Sequence, residues 1–232
     1  IRKEYGTKKV GHTGTLDPMA TGVLPILIGD ATKLSDYLMD HDKEYIAVLK
    51  LGEKRDTGDS EGNIIETSKI PNLTTQEIEN TLKAFIGKIS QIPPMYSAIK
   101  VNGKKLYELA REGKEIERKP RSVEIYSIEL LEVEKNTENI IDKIKFKVNC
   151  SKGTYIRTLC EDIAEKLGTV GYMQELRRTR VGKFTLEDIN KCVSLEEILS
   201  EENAYILKEN EESKLLNGVI IKTNLADGLV RI

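Results

Sequence analysis

The sequence predicts an α/β chain built on a mixed, mostly antiparallel sheet with flanking helices, and three observations lead to this fold class. Two strand-like runs, 122–133 and 140–150, flank the polar turn EKNTEN, a further apolar run occupies 44–51, and helix-like spacing of apolar residues follows at 74–87 and 156–168. Because strands and helices mix along the chain, we expect a sheet with helices packed beside it.

The first elements are a strand and a helix. EYIAVLKL at 44–51 is typical of a strand, and GEKRDTGDSEGN at 52–63 is rich in turn residues. Thr74 and Glu77 form a capping box that predicts a helix start. The apolar face of that helix consists of Ile78, Leu82, Phe85 and Ile86, with Gly87 as the stop.

A hairpin and a second helix follow. In 140–150 the apolar residues Ile144, Phe146, Val148 and Cys150 alternate with Lys145, Lys147 and Asn149. This period of two predicts an antiparallel hairpin with one face in water. Helical spacing then relates Ile156, Leu159, Ile163 and Leu167, and the helix is expected to end at Gly168.

The C-terminal part has a different character. Ser194 with Glu197 is a second capping box, which opens a short helix. From 205 onward, short strands and turns are predicted, too few for an independent core. We therefore expect one large domain over 1–193, followed by a linker and the start of a small β domain over 194–232.

Composition excludes several classes of protein. The 36 Lys and Arg residues nearly balance 38 Asp and Glu residues, for a net charge of −2, and 39% of residues are hydrophobic. This profile predicts a soluble, cytoplasmic globular protein, because the sequence offers neither an apolar stretch long enough for a membrane helix nor the apolar core of a signal peptide. The spacing of its cysteines and histidines predicts neither a disulfide framework nor a metal site.

Charge is distributed unevenly along the chain. Segments 1–12, 97–121 and 172–183 are basic, whereas 194–217 is acidic. Basic segments in an acidic protein are compatible with a surface that binds a polyanion, but such runs of charge are more often ordinary solvated surface. Composition leaves both interpretations open.

The segment GHTGTLDPMATGVLPILIG at 11–29 carries the most information. Its glycines permit unusual backbone conformations, and Asp17 before Pro18 fixes a turn with a carboxylate at its apex. The alternative is a simple helix N-cap by Asp17. A phosphate-binding P-loop is excluded because no Gly-Lys-Ser/Thr follows, and the aspartic-protease-like triplet at 56–58 lacks an apolar strand before it.

The whole segment closely resembles the catalytic motif of the TruB family of tRNA pseudouridine synthases. Five further segments resemble the same family in the same order: DKEYIAVLKLG (42–52), DTGDSEG (56–62), IPPMYSAIKVNGKKLYELAREG (92–113), CSKGTYIRTLCEDI (150–163) and LRRTRVGKF (176–184). The resemblance covers 1–193 and implies the pseudouridine synthase fold. The NGVIIK region resembles the opening of the family's PUA-like domain.

The resemblance also concerns the ends of the chain. The family's first strand, with its Asn-Lys-Pro motif, has no counterpart before Ile1, and the PUA-like part is short. Because the first residue is Ile and not Met, we also expect the chain to lack its true N-terminus.

The resemblance implies a catalytic pair. Asp17 would be the carboxylate that acts beside the sugar, as a nucleophile or as a base, and Arg157 would lower its pKa. The alternative for Arg157 is a cation on a helix surface. The reaction breaks one glycosidic bond and makes another, so that neither a cofactor nor a metal is expected.

A second set of residues would hold the extruded uridine. Tyr45 resembles the stacking tyrosine, Tyr155 and Leu176 resemble the pocket lining, and His12 resembles a side chain that enters the RNA loop. Asp59 would join the polar network around Asp17. The alternatives are an ordinary strand aromatic for Tyr45, core packing for Tyr155 and Leu176, a structural histidine, and simple turn formation by Asp59.

The implied substrate is the T stem-loop of tRNA, bound by an insertion at about 97–121. The residues expected to reach phosphates are Lys100, Lys104, Lys105, Arg111, Arg177, Arg178 and Arg180. The expected activity is isomerisation of uridine 55 to pseudouridine by a monomer without guide RNA or membrane partner. Two alternatives remain: a guide-RNA-dependent relative and a non-catalytic tRNA-binding or tRNA-folding module.

Overall fold

The computed structural model of the chain describes residues 1–101, 103–200, 203–208, 211–217, 219, 221 and 230–231. They belong to two units, Ile1–Ile189 and Asn190–Ile232. The elements of the first unit are, in chain order, β1 (Val10–His12), β2 (Thr21–Gly22), β3 (Ile26–Ile28), a 3-10 helix (Gly29–Leu34), α1 (Ser35–Met39), β4 (Lys43–Leu51), β5 (Glu53–Arg55), β6 (Ile64–Thr67), α2 (Thr75–Lys83), β7 (Gly87–Gln91), β8 (Lys100–Val101), β9 (Lys104–Lys105), α3 (Leu106–Arg111), β10 (Arg121–Lys135), β11 (Ile141–Cys150), α4 (Ile156–Lys166), β12 (Gly171–Val181), β13 (Phe184–Thr185) and a 3-10 helix (Leu186–Asp188).

A sheet of seven described strands organises this unit. Its order is β13-β12-β4-β11-β10-β7, and every neighbouring pair in that order is antiparallel. The short strand β2 adds a parallel pairing to β12. With helices α2 and α4 packed against strands of this sheet, the predicted fold class is confirmed.

The central strands follow the predicted pattern. Strand β4 covers the predicted 44–51 run, and β10 and β11 form the predicted antiparallel hairpin. Ile144, Phe146 and Val148 of β11 are buried, whereas the two lysines that alternate with them lie on the wetter face and pair with glutamates: Lys145 with Glu132 at 3.7 Å and Lys147 with Glu44 at 3.1 Å. Alternation therefore favours this register of the hairpin, because a slip of one residue would bury the lysines.

The two predicted helices pack over the buried face. Helix α2 begins at the capping box of Thr74 and Glu77, worth about 1 kcal/mol, and α4 ends just before Gly168, whose φ is +81°. Helix α2 stops earlier than predicted. Gly87 does not cap it but opens β7, and Ile86 is consequently half exposed instead of lying in the core.

Two segments differ from the sequence prediction. The turn-rich segment 52–63 contains strand β5, which pairs with β6 around the turn at 56–62. The second unit contains α5 (Leu195–Ile198), β14 (Asn203–Ala204), α6 (Glu212–Leu216) and β15 (Val230–Arg231), and β14 pairs with β15 in parallel. The helix α6 lies where short strands and turns were predicted. Much of the NGVIIK region and the segment 222–229 lie outside the described residues, and the identity of this part as a PUA-like domain stays a prediction.

Candidate active site

Residues 13–23, named here the Asp17 loop, form most of the connection from β1 to β3 and include the short strand β2. His12 pairs with Ile26, so this connection leaves and rejoins the same strand pair. The amide of Ala20 donates to the carbonyl of Asp17 at 2.9 Å in a turn, and no helix begins here. The N-cap alternative for Asp17 is therefore wrong, and its carboxylate is available to other partners.

Arg157, in the first turn of α4, binds that carboxylate. Its Nη2 donates to Asp17 Oδ1 at 2.9 Å and to the carbonyl of Tyr96 at 2.8 Å, while Nη1 donates to the carbonyl of Thr57 at 3.0 Å. The residue is only 5% exposed, which excludes a helix-surface cation. A planar guanidinium with five donors in a fixed fork is suited to serve three separate segments at once.

Asp59 lies on the other side of the same guanidinium. Its Oδ2 is 3.8 Å from Arg157 Nε, and its Oδ1 accepts hydrogen bonds from Thr57 Oγ1 at 2.6 Å and from the amide of Glu61 at 3.1 Å. Asp59 therefore both shapes the turn at 56–62 and belongs to the charged group around Asp17.

The electrostatics of Asp17 differ from the sequence prediction. Burial raises the pKa of its carboxyl group, Arg157 acts in the opposite direction, and the negative charge of Asp59 adds to the rise. The pKa is thus raised overall, although Arg157 lowers it as predicted. A carboxylate with a raised pKa binds a proton more readily, and it is correspondingly more basic towards a substrate.

Tyr45 and Leu176 lie on one face of the sheet. Strands β4 and β12 pair so that Tyr45 is opposite Arg178, and Leu176, two residues before Arg178, shares its face. Both predicted pocket residues are buried in the apolar core around Ala47. Burial raises the pKa of Tyr45 to about 12, so its hydroxyl is neutral at physiological pH.

Tyr155 immediately precedes α4 and is anchored through its backbone. Its amide donates to Gln91 Oε1 at 3.0 Å, and Gln91 Nε2 donates back to its carbonyl at 3.2 Å. Burial is the main cause of the raised pKa of Tyr155, and the charge of Asp17 contributes to it, as it does for Tyr45. Both tyrosines therefore lie within electrostatic reach of the Asp17 carboxylate.

His12 is exposed at the start of the Asp17 loop. Its Nδ1 accepts a hydrogen bond from the amide of Gly14 at 3.3 Å. The imidazole is thus oriented by the loop while it remains accessible to a ligand.

The basic insertion forms a hairpin and a short helix. Lys100 and Lys104 are exposed on the hairpin β8–β9, and Lys104 Nζ is 3.6 Å from Glu112. Lys105 Nζ is 3.3 Å from the hydroxyl of Tyr107, and the guanidinium of Arg111 lies 5.5 Å from the centroid of that ring. Lys105 and Arg111 thus lie around one aromatic side chain on α3, Tyr107.

In the basic segment 172–183, the structure contradicts the prediction that Arg178 reaches a phosphate. Arg177 is exposed on β12, but Arg178 is 1% exposed and donates to backbone carbonyls of the Asp17 loop. It cannot reach a phosphate in this conformation. Arg180 is half buried and binds Asn149 Oδ1 at 2.8 Å. Strand alternation was the available signal, because Arg178 shares the buried face of Leu176.

Other site residues carried weaker sequence signals. Gly22 has φ of +105°, and a Cβ there would lie 2.0 Å from the carbonyl oxygen of Arg178. A glycine inside a strand-like run is a sign of such close backbone approach. The bridging role of Gln91 had no local signal, because its partner Tyr155 is 64 residues away.

The part of the chain that the structure describes contains no group of three or more His, Cys, Asp or Glu side chains arranged to hold a metal ion. Among the same residues, no helix has the length and apolar character needed to cross a membrane.

Comparisons with known proteins give a consistent result. The family model for the TruB pseudouridylate synthase N-terminal domain matches residues 2–156, and the model for the tRNA pseudouridylate synthase B C-terminal domain matches residues 157–224. A tRNA pseudouridine synthase B of Francisella philomiragia is 48% identical over 98% of this chain and 79% of its own. Its counterpart in Clostridium tetani is 49% identical over 96% of this chain and 79% of its own.

Solved structures resemble the chain as well. The Cbf5-Nop10-Gar1 complex contains a chain that is 33% identical, with a TM-score of 0.59, over 80% of this chain and 44% of that one. An H/ACA RNP bound to a substrate RNA containing 2'-deoxyuridine gives 29% identity and a TM-score of 0.55 over 79% and 42% of the two chains.

Proposed function

The chain belongs to the TruB family of pseudouridine synthases, and from this premise we propose that it isomerises uridine 55 in the T loop of tRNA to pseudouridine. The N1–C1′ bond of the uridine breaks, the detached uracil turns, and a C5–C1′ bond forms while the hydrogen on C5 leaves to solvent as a proton and N1 takes up a proton. Atoms balance without a redox partner or an external energy source.

The ion pair between Asp17 and Arg157 is the observation that carries this proposal. A carboxylate beside C1′ can attack the sugar, stabilise positive charge as the glycosidic bond breaks, or remove a sugar proton. Each role requires an ionised and fixed carboxylate. Arg157 supports both needs, because it opposes the rise in pKa that burial causes and holds one carboxylate oxygen at 2.9 Å.

The residues around this pair fit an extruded base. Tyr45 would stack on the uracil, Tyr155 and Leu176 would close the sides of the pocket, and His12 would occupy space left in the RNA loop. The neutral hydroxyl of Tyr45 and the apolar side chain of Leu176 suit an uncharged uracil.

Binding of tRNA would extend beyond the pocket. Lys100, Lys104, Lys105 and Arg111 on the insertion and Arg177 on β12 are placed in basic segments, whose contacts to phosphates would recognise shape more than sequence. We expect a monomer that acts in the cytoplasm, where its substrate is found.

We propose action without guide RNA. The relatives at 48% and 49% identity are named as tRNA enzymes, whereas the guide-dependent assemblies resemble this chain at 33% and 29% identity. The insertion at 97–121 supports the same choice, because it supplies basic groups of its own for an RNA substrate.

The test is release of tritium from C5 of uracil in a tRNA transcript, since only bond formation at C5 expels that hydrogen. We expect release with protein and transcript alone, and none above background from a transcript with cytidine at position 55. Release that requires an added guide RNA would identify the guide-dependent alternative. Binding of the transcript without any release would identify the non-catalytic module.

The stacking role of Tyr45 predicts different results for two substitutions. Tyr45→Phe should retain activity within about tenfold, whereas Tyr45→Ala should lose most of it, because stacking contributes about 1 to 3 kcal/mol per base and does not need the hydroxyl. Single-turnover rates of tritium release measure both. Equal losses in the two variants would mean that the hydroxyl takes part in the reaction.

The basic insertion predicts the salt dependence of binding. Replacing Lys104 and Lys105 by Gln should flatten the slope of log affinity against log salt by about 1 to 2 units, because each phosphate contact releases counterions. The matched control replaces Lys143 and Lys145, which pair with Glu134 and Glu132 on the sheet. Titration of a T-arm RNA at several salt concentrations measures the slope for both double variants. Equal slopes in the two variants would mean that Lys104 and Lys105 are ordinary surface lysines without phosphate contacts.

A further inference from the structure

One buried arginine, Arg178, links the two ends of the Asp17 loop. The Nε of Arg178 donates to the carbonyl of Val23 at 2.7 Å, and its Nη2 donates to the carbonyl of Gly14 at 3.2 Å. Gly14 lies near the start of the loop and Val23 is its last residue. A single guanidinium therefore joins the two ends of the segment that carries Asp17 between them.

The backbone of Arg178 strengthens the same junction. Its carbonyl accepts a hydrogen bond from the amide of Val23 at 2.8 Å, and β2 pairs with β12 so that Gly22 lies beside Arg178. No side chain fits between them, since a Cβ on Gly22 would be 2.0 Å from the Arg178 oxygen. The backbone at the end of the loop therefore packs directly against the backbone of Arg178.

The charge of Arg178 is costly in this position. Arg178 is 1% exposed, and no carboxylate among the described residues lies within ion-pair distance of it. The nearby Lys43 is also a buried cation, whose pKa is lowered first by burial and then by Arg178. A charge removed from water is unfavourable unless hydrogen bonds or an opposite charge compensate it. A guanidinium here is better explained by its fork of donors, which reaches two distant carbonyls, than by a contribution to stability.

Arg178 also faces the stacking residue. It is the residue of β12 that pairs with Tyr45 of β4, on the buried face of the sheet. Its influence on the hydroxyl of Tyr45 opposes the effect of burial on the pKa of that group. The same side chain therefore contacts the Asp17 loop and neighbours Tyr45.

We propose that Arg178 is a positioning residue, which fixes the Asp17 carboxylate relative to Tyr45 by linking the two ends of the Asp17 loop. Arg157 holds the carboxylate itself, and Arg178 holds the segment that presents it. This inference rests on the proposed function and adds to it a residue that acts through the backbone of the loop.

The test compares Arg178→Lys and Arg178→Met with the wild-type protein. We expect the single-turnover rate of tritium release at saturating protein to fall about 10²-fold in the methionine variant, because a displacement of about 1 Å of a reacting group costs that much. The lysine variant should recover part of the rate, since one ammonium can serve one of the two carbonyls. Affinity for the transcript should change less than threefold.

A merely structural role is tested with Ile78→Val, a core substitution in α2, which packs against β10 and contains none of the site residues. At one temperature at which all variants are folded, Ile78→Val should release tritium at the wild-type rate. Faster amide hydrogen exchange confined to residues 13–23 of Arg178→Lys is the second expected result, and it remains measurable where the methionine variant does not fold. Arg178 variants that match Ile78→Val in rate, or exchange unchanged in the loop, would overturn the inference. Absence of release by the wild-type protein would instead overturn the proposed function.

Discussion

Asp17→Asn is expected to abolish tritium release from the tRNA transcript, with the rate lowered at least about 10³-fold. The affinity for tRNA should fall by less than tenfold, or about 1.4 kcal/mol. An amide has nearly the shape of the carboxylate, but it can neither attack the sugar nor accept its proton. The substitution also leaves the positive charge of Arg157 without its partner at 2.9 Å, which does not disfavour a polyanion. Loss of rate with retained binding is therefore expected.

Asp162→Asn is the matched control for this substitution. Asp162 is another half-buried carboxyl group, on the same helix as Arg157, and burial raises its pKa to about 6. It makes no described ion pair with the residues of the site, so its variant should release tritium at the wild-type rate. Activity of Asp17→Asn within a few-fold of wild type would refute the role assigned to Asp17.

Arg157→Gln is expected to lower the rate of tritium release by about 10²-fold and to move the acid limb of the pH–rate profile to higher pH. The rate falls because Gln cannot hold Asp17 together with the carbonyls of Tyr96 and Thr57, so the carboxylate loses its fixed position.

The direction of the pH shift follows from the groups around Asp17. Burial raises its pKa and Arg157 lowers it, so loss of Arg157 leaves the effect of burial unopposed. The pKa of Asp17 rises, a smaller fraction of the carboxylate is ionised at each acidic pH, and the limb moves upward.

Single-turnover rates between pH 5 and 8 measure this shift. Lys50→Gln is the control, because it removes a cation from a different ion pair, with Asp142, and should leave the limb in place. A limb that stays at the wild-type pH, or moves lower, in Arg157→Gln would contradict the electrostatic role of Arg157.

Local patterns in the sequence determined the elements of the fold. The alternation of Phe146 and Val148 with lysines fixed a strand and its buried face, and the capping box at Thr74 fixed the start of α2. These signals succeed because they depend on side chains two to four residues apart. The motif at 11–29 likewise indicated Asp17 and its chemistry, through its resemblance to a known family.

The tertiary structure decided the contacts between distant segments. Asp17 and Arg157 are 140 residues apart, and Arg178 is 155 residues from Val23. Spacing along the chain therefore predicts neither contact. The resemblance led us to expect that Arg178 reaches a phosphate, whereas pairing of β12 with β4 and β2 buried it beside the Asp17 loop. The net rise in the pKa of Asp17 could not be predicted from the sequence for the same reason. Burial is a property of the packed chain, and its effect on this pKa outweighs that of the Arg157 charge.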